Sequence, residues 1–197
     1  MTKTRVAIVG STGYGGVELV RLLLQHPHVE ISSLISSSKS EVPFTDDYPH
    51  LQHLVDQLID PLDVSLIAQK ADVVFLATPH GVATKIAPKL LELGLTVIDL
   101  SGDFRLKDGS VYKQWYNHEP AEAAWLEKAV YGLSEINADQ IRGAKLISNP
   151  GCYPTAAQLG LIPAVANDWI ELDSIIVDAK SGVSGAGRGT SLTTHYS

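Results

Sequence analysis

The chain carries a single cysteine, Cys152, in the stretch Ser148-Asn149-Pro150-Gly151-Cys152-Tyr153-Pro154-Thr155. Strand-like residues 145–147 lead into Asn-Pro-Gly, where Pro150 fixes a rigid φ and Gly151 permits a positive one. Residues 154–162 then read as a helix, with Pro154 suited to its first turn. Cys152 is thereby expected on a sharp strand-to-helix elbow. At such an elbow a sulfur faces the partial positive charge of a helix N-terminus and several free backbone N–H groups, which stabilise an anion and hold an oxyanion. Asn149, three residues upstream, adds a side-chain donor, so Cys152 and Asn149 form the candidate catalytic pair. A lone cysteine is also commonly a small buried hydrophobe, and the residues by themselves leave both roles open.

The second group with chemical promise is Gly10-Ser11-Thr12-Gly13-Tyr14-Gly15-Gly16. It follows a short apolar run, Arg5 to Val9, as expected of a buried parallel strand. Val17, Val20, Leu23 and Leu24 then recur at helical spacing until Pro27. Strand, glycine loop and helix make a phosphate-binding unit. Gly10, Gly13 and Gly16 permit a tight turn, close approach of backbone to a pyrophosphate and close helix-to-strand packing, while Ser11 and Thr12 add hydroxyl donors. The spacing G-x-x-G-x-x-G departs from the commoner G-x-G-x-x-G. A second strand, Val29 to Ile35, should end at the adenosine ribose, where NAD enzymes commonly place a carboxylate. This chain has Ser36-Ser37-Ser38-Lys39 there, and the hydroxyls of Ser36 and Ser38 with the Lys39 ammonium suit a 2′-phosphate, favouring NADP over NAD. Taken without the glycine loop, the same residues read as a polar turn.

Further elements must bring these groups together. Residues 71–77 read as a strand ending in Thr78-Pro79-His80-Gly81, followed by a helix with Val82, Ile86 and Leu90 on one face and Gly94 as its C-cap. Residues 95–100 read as another strand, ending in Ser101-Gly102-Asp103-Phe104-Arg105. Both strand ends fall on the ligand side of a doubly wound sheet, so Pro79 and Ser101 join the expected cofactor contacts. His80 could donate to the cofactor or cap the helix, and a structural role is preferred. Arg105 has the planar fork that binds a phosphate or carboxylate bidentately, though its position serves a surface ion pair equally well. Residues 107–137 are rich in Tyr and Trp, read chiefly as packing over the sheet. Residues 41–63 are mixed, with Pro43, Pro49 and Pro61, and the pair His50-x-x-His53 lacks further ligands at suitable spacing, so it reads as a solvated loop or short helix and no metal is assigned. Residues 173–179 read as a strand running into a glycine-rich loop where Ser181, Ser184, Gly185 and Arg188 could meet an anion, the plain alternative being a flexible connection.

With 197 residues, of which 45% are hydrophobic, the chain can bury a full core, and its net charge of −7 without a Lys/Arg run argues against a nucleic-acid partner. No apolar run reaches membrane length and no signal-peptide core is seen, and one cysteine forms no internal disulfide, so the cytoplasm is the default expectation. The expected fold is α/β: a doubly wound, Rossmann-type parallel sheet over residues 1–151, then the start of an incomplete α+β domain over residues 152–197.

The run from Ser148 to Thr155, followed by Gly160-Leu161-Ile162-Pro163, resembles the active-site signature of the N-acetyl-gamma-glutamyl-phosphate reductases. The glycine-loop spacing is similar to that of this family and of the related aspartate-semialdehyde dehydrogenases. Asp99-Leu100-Ser101-Gly102-Asp103-Phe104-Arg105 resembles the family's matching loop, whose arginine is implied to contact the substrate phosphate. Tyr131-Gly132-Leu133-Ser134-Glu135 also resembles the family, implying that Gly132 and Ser134 lie near the active-site wall. The loop through Arg188 is implied to line the nicotinamide and substrate site. The resemblance implies NADPH-dependent reduction of an acyl phosphate through a Cys152 thioester, in arginine biosynthesis, by a homo-oligomer. Family members continue beyond this length and carry a catalytic histidine in a later segment, so His195 is not assigned that role, and the 197-residue portion alone is expected to be inactive. An aspartate-semialdehyde dehydrogenase and a catalytically inert dinucleotide-binding module are the alternatives.

Overall fold

A computed structural model describes residues 2–189; His195 lies outside them. Seven strands are formed: β1 (Thr4–Val9), β2 (Val29–Ile35), β3 (Ile59–Asp60), β4 (Val73–Leu76), β5 (Thr96–Asp99), β6 (Val130–Tyr131) and β7 (Leu146–Ser148). They pair side by side in the order β3-β2-β1-β4-β5-β7-β6, every pairing parallel. The helices are α1 (Tyr14–Leu23), α2 (Val64–Lys70), α3 (Ala83–Glu92), α4 (Gly109–Tyr116), α5 (Ala123–Lys128), α6 (Ser134–Ile141) and α7 (Cys152–Ala166).

The order follows from a chain that starts in the middle of the sheet, winds outward through β2 and β3, and returns to β4 on the other side of β1. That reversal opens a crevice between the carboxyl ends of β1 and β4, where sheets of this kind bind ligands. Alternation along β1 divides the core in two. Val6 and Ile8 face Val20, Ile31, Leu34 and Ile59, whereas Ala7 and Val9 face Ile67, Val74, Leu76, Ile86 and Leu90. Both faces are therefore apolar, which accounts for the continuous hydrophobic run of the strand.

Residues 41–63 carry short 3-10 turns at Phe44–Asp46 and Pro49–Leu51 that bury Phe44, Tyr48, Leu51 and Val55 against the β1–β2 face, while His50 and His53 are exposed. Two sequence expectations are corrected. Residues 173–179 form no strand; a 3-10 turn covers Leu172–Ser174 and Ile176 is 90% exposed. A strand needs a neighbour for its ladder, and none of the described strands pairs with this segment. Finally, Gly151 has φ −72°, so the elbow does not use the left-handed region.

Helix α7 begins at Cys152 itself and, among the described residues, buries none of its side chains. Exposed Trp169, Leu172, Val177 and Val183 follow it. The hydrophobic core of the described residues thus stops at the elbow.

Candidate active site

The glycine loop is held by backbone geometry more than by side chains. Gly10 sits at φ +83°, and a Cβ there would lie 2.2 Å from the Ala77 carbonyl oxygen at the end of β4. A Cβ on Gly16 would lie 2.3 Å from the Gly10 oxygen, so both positions exclude a side chain. Gly13 and Gly15 meet no such obstacle. Gly13 is the N-cap of α1, and no described side chain occupies that cap, which leaves the first amides of the helix available to an anion. The buried Ser11 hydroxyl donates to the Ile35 carbonyl at 3.1 Å, tying β1 to β2.

A cleft of about 290 Å³ opens above β1 and β4, with Gly10, Thr12, Gly13, Ser36, Ser38 and Pro79 in its wall. Thr12 Oγ1 and Ser36 Oγ lie 3.3 Å apart, and Ser36 Oγ and Ser38 Oγ 3.1 Å apart, so three predicted contacts form one hydroxyl cluster. Thr78 Oγ1, in the same wall, is buried with no hydrogen-bond partner among the described residues. An unpaired hydroxyl beside a positive-φ glycine loop and an uncapped helix start fits a dinucleotide phosphate.

Lys39 lines an adjoining cleft with Ser36 and Ser38, and its ammonium pairs with Asp47 at 2.7 Å. Arg188 shares that carboxylate at 3.1 Å, donates to the Thr12 carbonyl at 3.0 Å and covers the Tyr48 ring. The Asp47 carboxyl is held below its usual range, first by Lys39 and against the opposing effect of burial. Arg188 is thereby held against the glycine loop and the segment of residues 44–48. Tyr14 and Gly15 face a second cleft with Ser184 and Gly185, about 490 Å³ in volume, against the start of α1.

Cys152 is exposed at the first position of α7, after an N-cap, Gly151, that no side chain occupies. Arg105 approaches from the β5 loop. Its Nε donates to the Asn149 carbonyl at 2.9 Å and one terminal nitrogen to the Leu100 carbonyl at 2.7 Å. The other, Nη1, lies 3.1 Å from where a Gly151 Cβ would be, so a side chain at 151 would crowd the guanidinium. Among the described residues Arg105 thus forms no ion pair; it is pinned by two carbonyls, with its remaining terminal nitrogen unbonded and turned to the cysteine elbow. Asn149 Nδ2 donates to the neighbouring Pro150 carbonyl at 3.1 Å, leaving one of its two hydrogens free. Gly132 packs on Ile147 and Asn149, and Ser134 is exposed at the start of α6.

The β5 loop holds a buried network that sequence reasoning missed. Asp103, fully buried, accepts from the Gly81 amide at 2.8 Å, the Thr84 amide at 3.1 Å and the Tyr112 hydroxyl at 2.8 Å. Ser101, predicted as a cofactor contact, is part of that network: its hydroxyl donates to Asp99 at 2.9 Å and accepts from the Asp103 amide at 3.1 Å. His80 does not cap α3; its Nδ1 accepts from the Gly102 amide at 2.9 Å, a structural role. Burial lowers the His80 pKa, consistent with a neutral acceptor. Three polar residues in Asp99-Leu100-Ser101-Gly102-Asp103, at the end of an apolar strand, were the available signal.

Burial pushes the Asp99 carboxyl up to about 7 from its ordinary 3.8, against the favourable pull of Ser101. The folded chain therefore binds the Asp99 proton more tightly than the unfolded chain, and stability falls as pH rises from about 4 to about 7. Above that window the penalty is fully present, on the order of 4 kcal/mol. Asp99→Asn, which keeps an acceptor for Ser101, is expected to raise the thermal unfolding midpoint at pH 8 and leave it unchanged near pH 4, as read by circular dichroism.

The fold and the glycine loop define a dinucleotide-binding domain of the doubly wound kind, followed by an exposed cysteine at a strand-to-helix elbow. The pattern for the semialdehyde dehydrogenase NAD binding domain matches residues 5–144, and that for the semialdehyde dehydrogenase dimerisation domain matches residues 152–197. The chain belongs to the semialdehyde dehydrogenase family. It is 57% identical over 193 residues to the N-acetyl-gamma-glutamyl-phosphate reductase of Brevibacillus brevis, a match covering 98% of this chain and 56% of that protein. It is 55% identical to the reductase of the same name from Geobacillus stearothermophilus, covering 98% and 55%. The chain thus spans just over half the length of these relatives. Among solved structures, aspartate semialdehyde dehydrogenase with NADP from Candida albicans matches with TM-score 0.57 at 19% identity, over 84% of this chain and 48% of that one. The Vibrio cholerae aspartate semialdehyde dehydrogenase II complexed with ASA matches with TM-score 0.56 at 18% identity, over 84% and 47%. These two show a shared fold.

Proposed function

We propose that the full-length protein is an NADP-dependent N-acetyl-gamma-glutamyl-phosphate reductase of arginine biosynthesis, cytoplasmic and homo-oligomeric. Residues 1–151 form its dinucleotide domain and residues 152–197 open its substrate domain, a division supported by the two matched patterns. The observation that carries the assignment is the free Arg105 nitrogen turned to Gly151, one residue before Cys152 at the start of α7. Identity to reductases of this name supports the substrate.

In this mechanism the Cys152 sulfur attacks the acyl phosphate carbonyl, and the oxyanion is met by the free amides at the start of α7 and by Asn149. Arg105 binds the phosphate and stabilises it as it departs, leaving a thioester on the sulfur. The glycine loop, Thr12, Ser36, Ser38 and Thr78 would hold the dinucleotide, which when bound supplies the hydride. Collapse of the resulting thiohemiacetal frees the aldehyde and restores Cys152. Lys39 and Arg188, released from Asp47, would grip the 2′-phosphate.

Fluorescence titration of the full-length protein tests the cofactor. Ser38→Ala/Lys39→Ala is expected to weaken NADPH binding by about 100-fold, equal to two charge-assisted hydrogen bonds, with NADH binding unchanged. Equal loss for both cofactors would contradict the 2′-phosphate assignment. Turnover on N-acetyl-gamma-glutamyl phosphate against aspartyl phosphate separates the reductase from an aspartate-semialdehyde dehydrogenase, and absence of turnover on both would favour a binding-only module.

A further inference from the structure

Arg105 is aimed from a turn whose shape is set by a carboxylate that makes no hydrogen bond to it. Asp99 ends β5, fully buried. Its backbone carbonyl accepts from the Asn149 amide at 2.8 Å, and its carboxylate accepts from the Ser101 amide at 3.0 Å and the Ser101 hydroxyl at 2.9 Å. Leu100, between the two clamped residues, is thereby oriented with its carbonyl toward the guanidinium. Asn149, fixed through its amide, presents the second carbonyl. Asp99 thus stands at the root of both groups that pin Arg105.

The charges around it are unusual in one respect. Ser101 links two buried aspartates, its hydroxyl donating to the Asp99 carboxylate and accepting from the Asp103 backbone amide, and neither carboxylate forms an ion pair with a cation among the described residues. The guanidinium spends its hydrogen bonds on neutral carbonyls and keeps its charge for a ligand.

Resting on the assignment of Arg105 as the substrate-phosphate ligand, we propose that Asp99 is the positioning residue of this anion site, and that binding an anion at Arg105 is coupled to protonation of Asp99. An anion beside Arg105 cancels a positive charge that favours the Asp99 carboxylate and adds a repelling negative one. Taking up a proton relieves both effects, and by reciprocity the protonated site binds the anion more tightly. The groups facing Asp99 are consistent with this. Asp103 in the same loop raises its pKa and Arg105 lowers it; the Tyr112 phenol of α4 is held protonated by burial, and β7 contributes uncharged Ser148 in register. His80, nearby on the loop after β4, is lowered first by burial, with Asp103 raising it and Arg105 and His118 lowering it. Burial brings the Asp99 titration to about 7, within reach of experiment.

Sulfate is the probe, because it stays a dianion throughout the accessible pH range, and the readout is its inhibition of acyl phosphate turnover by the full-length protein. The inhibition constant is expected to fall about tenfold from pH 8.5 to pH 6, the size of a one-unit coupling. In Asp99→Asn it should be flat, while His80→Gln should keep the wild-type slope. Ser101→Ala, which leaves the carboxylate but loosens the turn, should keep the slope and raise the KM for the acyl phosphate several-fold with little change in kcat. A wild-type slope surviving in Asp99→Asn, a flat wild-type profile, or an unchanged KM in Ser101→Ala would overturn the proposal. An enzyme that turns over normally with pH-indifferent sulfate inhibition overturns the coupling alone; no turnover and no sulfate inhibition would remove the Arg105 assignment with it.

Discussion

Replacing Cys152 with alanine in the full-length protein is expected to lower kcat by about 10⁴-fold or more, the usual size of losing a covalent nucleophile. The same variant should bind NADPH as the wild type does. Cys152 is exposed at the first turn of α7 and packs into no core, so its removal costs little stability. That separation is informative, because a buried cysteine would show the opposite pattern: a loss of stability with activity reduced only in proportion. Stopped-flow turnover and a thermal melt on one preparation check both halves. Cys152→Ser is expected to be nearly as inactive, since a hydroxyl without a base is a weak nucleophile.

The second large effect is expected at Gly10. A methyl group there meets the Ala77 carbonyl oxygen at 2.2 Å, a contact between two backbone segments that no rotamer change relieves. The position also sits at φ +83°, which costs a non-glycine residue about 1–2 kcal/mol. Adding the overpacking cost, Gly10→Ala is expected to destabilise the chain by about 3–5 kcal/mol and, by moving β1 away from β4, to weaken cofactor binding at least tenfold. Gly15→Ala, where a Cβ meets nothing within 4 Å, is the control and should be close to neutral for stability. Denaturant unfolding of the two variants side by side checks the contrast.

The parts of the molecule that were legible in the sequence are those whose signal is local. Apolar runs bounded by glycine predicted β1 and the turn after it, and β2 falls at Val29–Ile35 as expected. The elbow before α7 was readable because Pro150, Gly151 and Pro154 constrain the backbone by themselves. What escaped depends on partners distant in sequence. Strands β3 and β6 have two residues each, too few for any period, and exist because Leu34–Ile35 and Ile147–Ser148 offer them a ladder. Tyr48 looked like a loop residue, yet it is buried against Phe44 and donates to the Thr12 carbonyl. Conversely, residues 173–179 have the composition of a strand, and composition without a neighbour makes none. Helix α2 could have been found, since Asp63 accepts from the Ser65 and Leu66 amides as an ordinary N-cap.

The same division runs through the site. Glycine loop, serine cluster and cysteine elbow were visible as motifs, and the structure gathers the first two around one cleft. Arg105 was visible as a residue but not as a pinned one, because both its acceptors are backbone carbonyls. The pairing of Lys39 and Arg188 with Asp47, across 141 residues in the second case, has no local signature at all.

The central claim is that Cys152 carries the acyl group. The direct measurement is intact-protein mass spectrometry of the full-length protein mixed with N-acetyl-gamma-glutamyl phosphate in the absence of NADPH. The expected result is one N-acetylglutamyl group per chain, mapped to Cys152, with one phosphate released for each group bound and no adduct in Cys152→Ala. Phosphate release without an adduct, or an adduct that persists in Cys152→Ala, would contradict it.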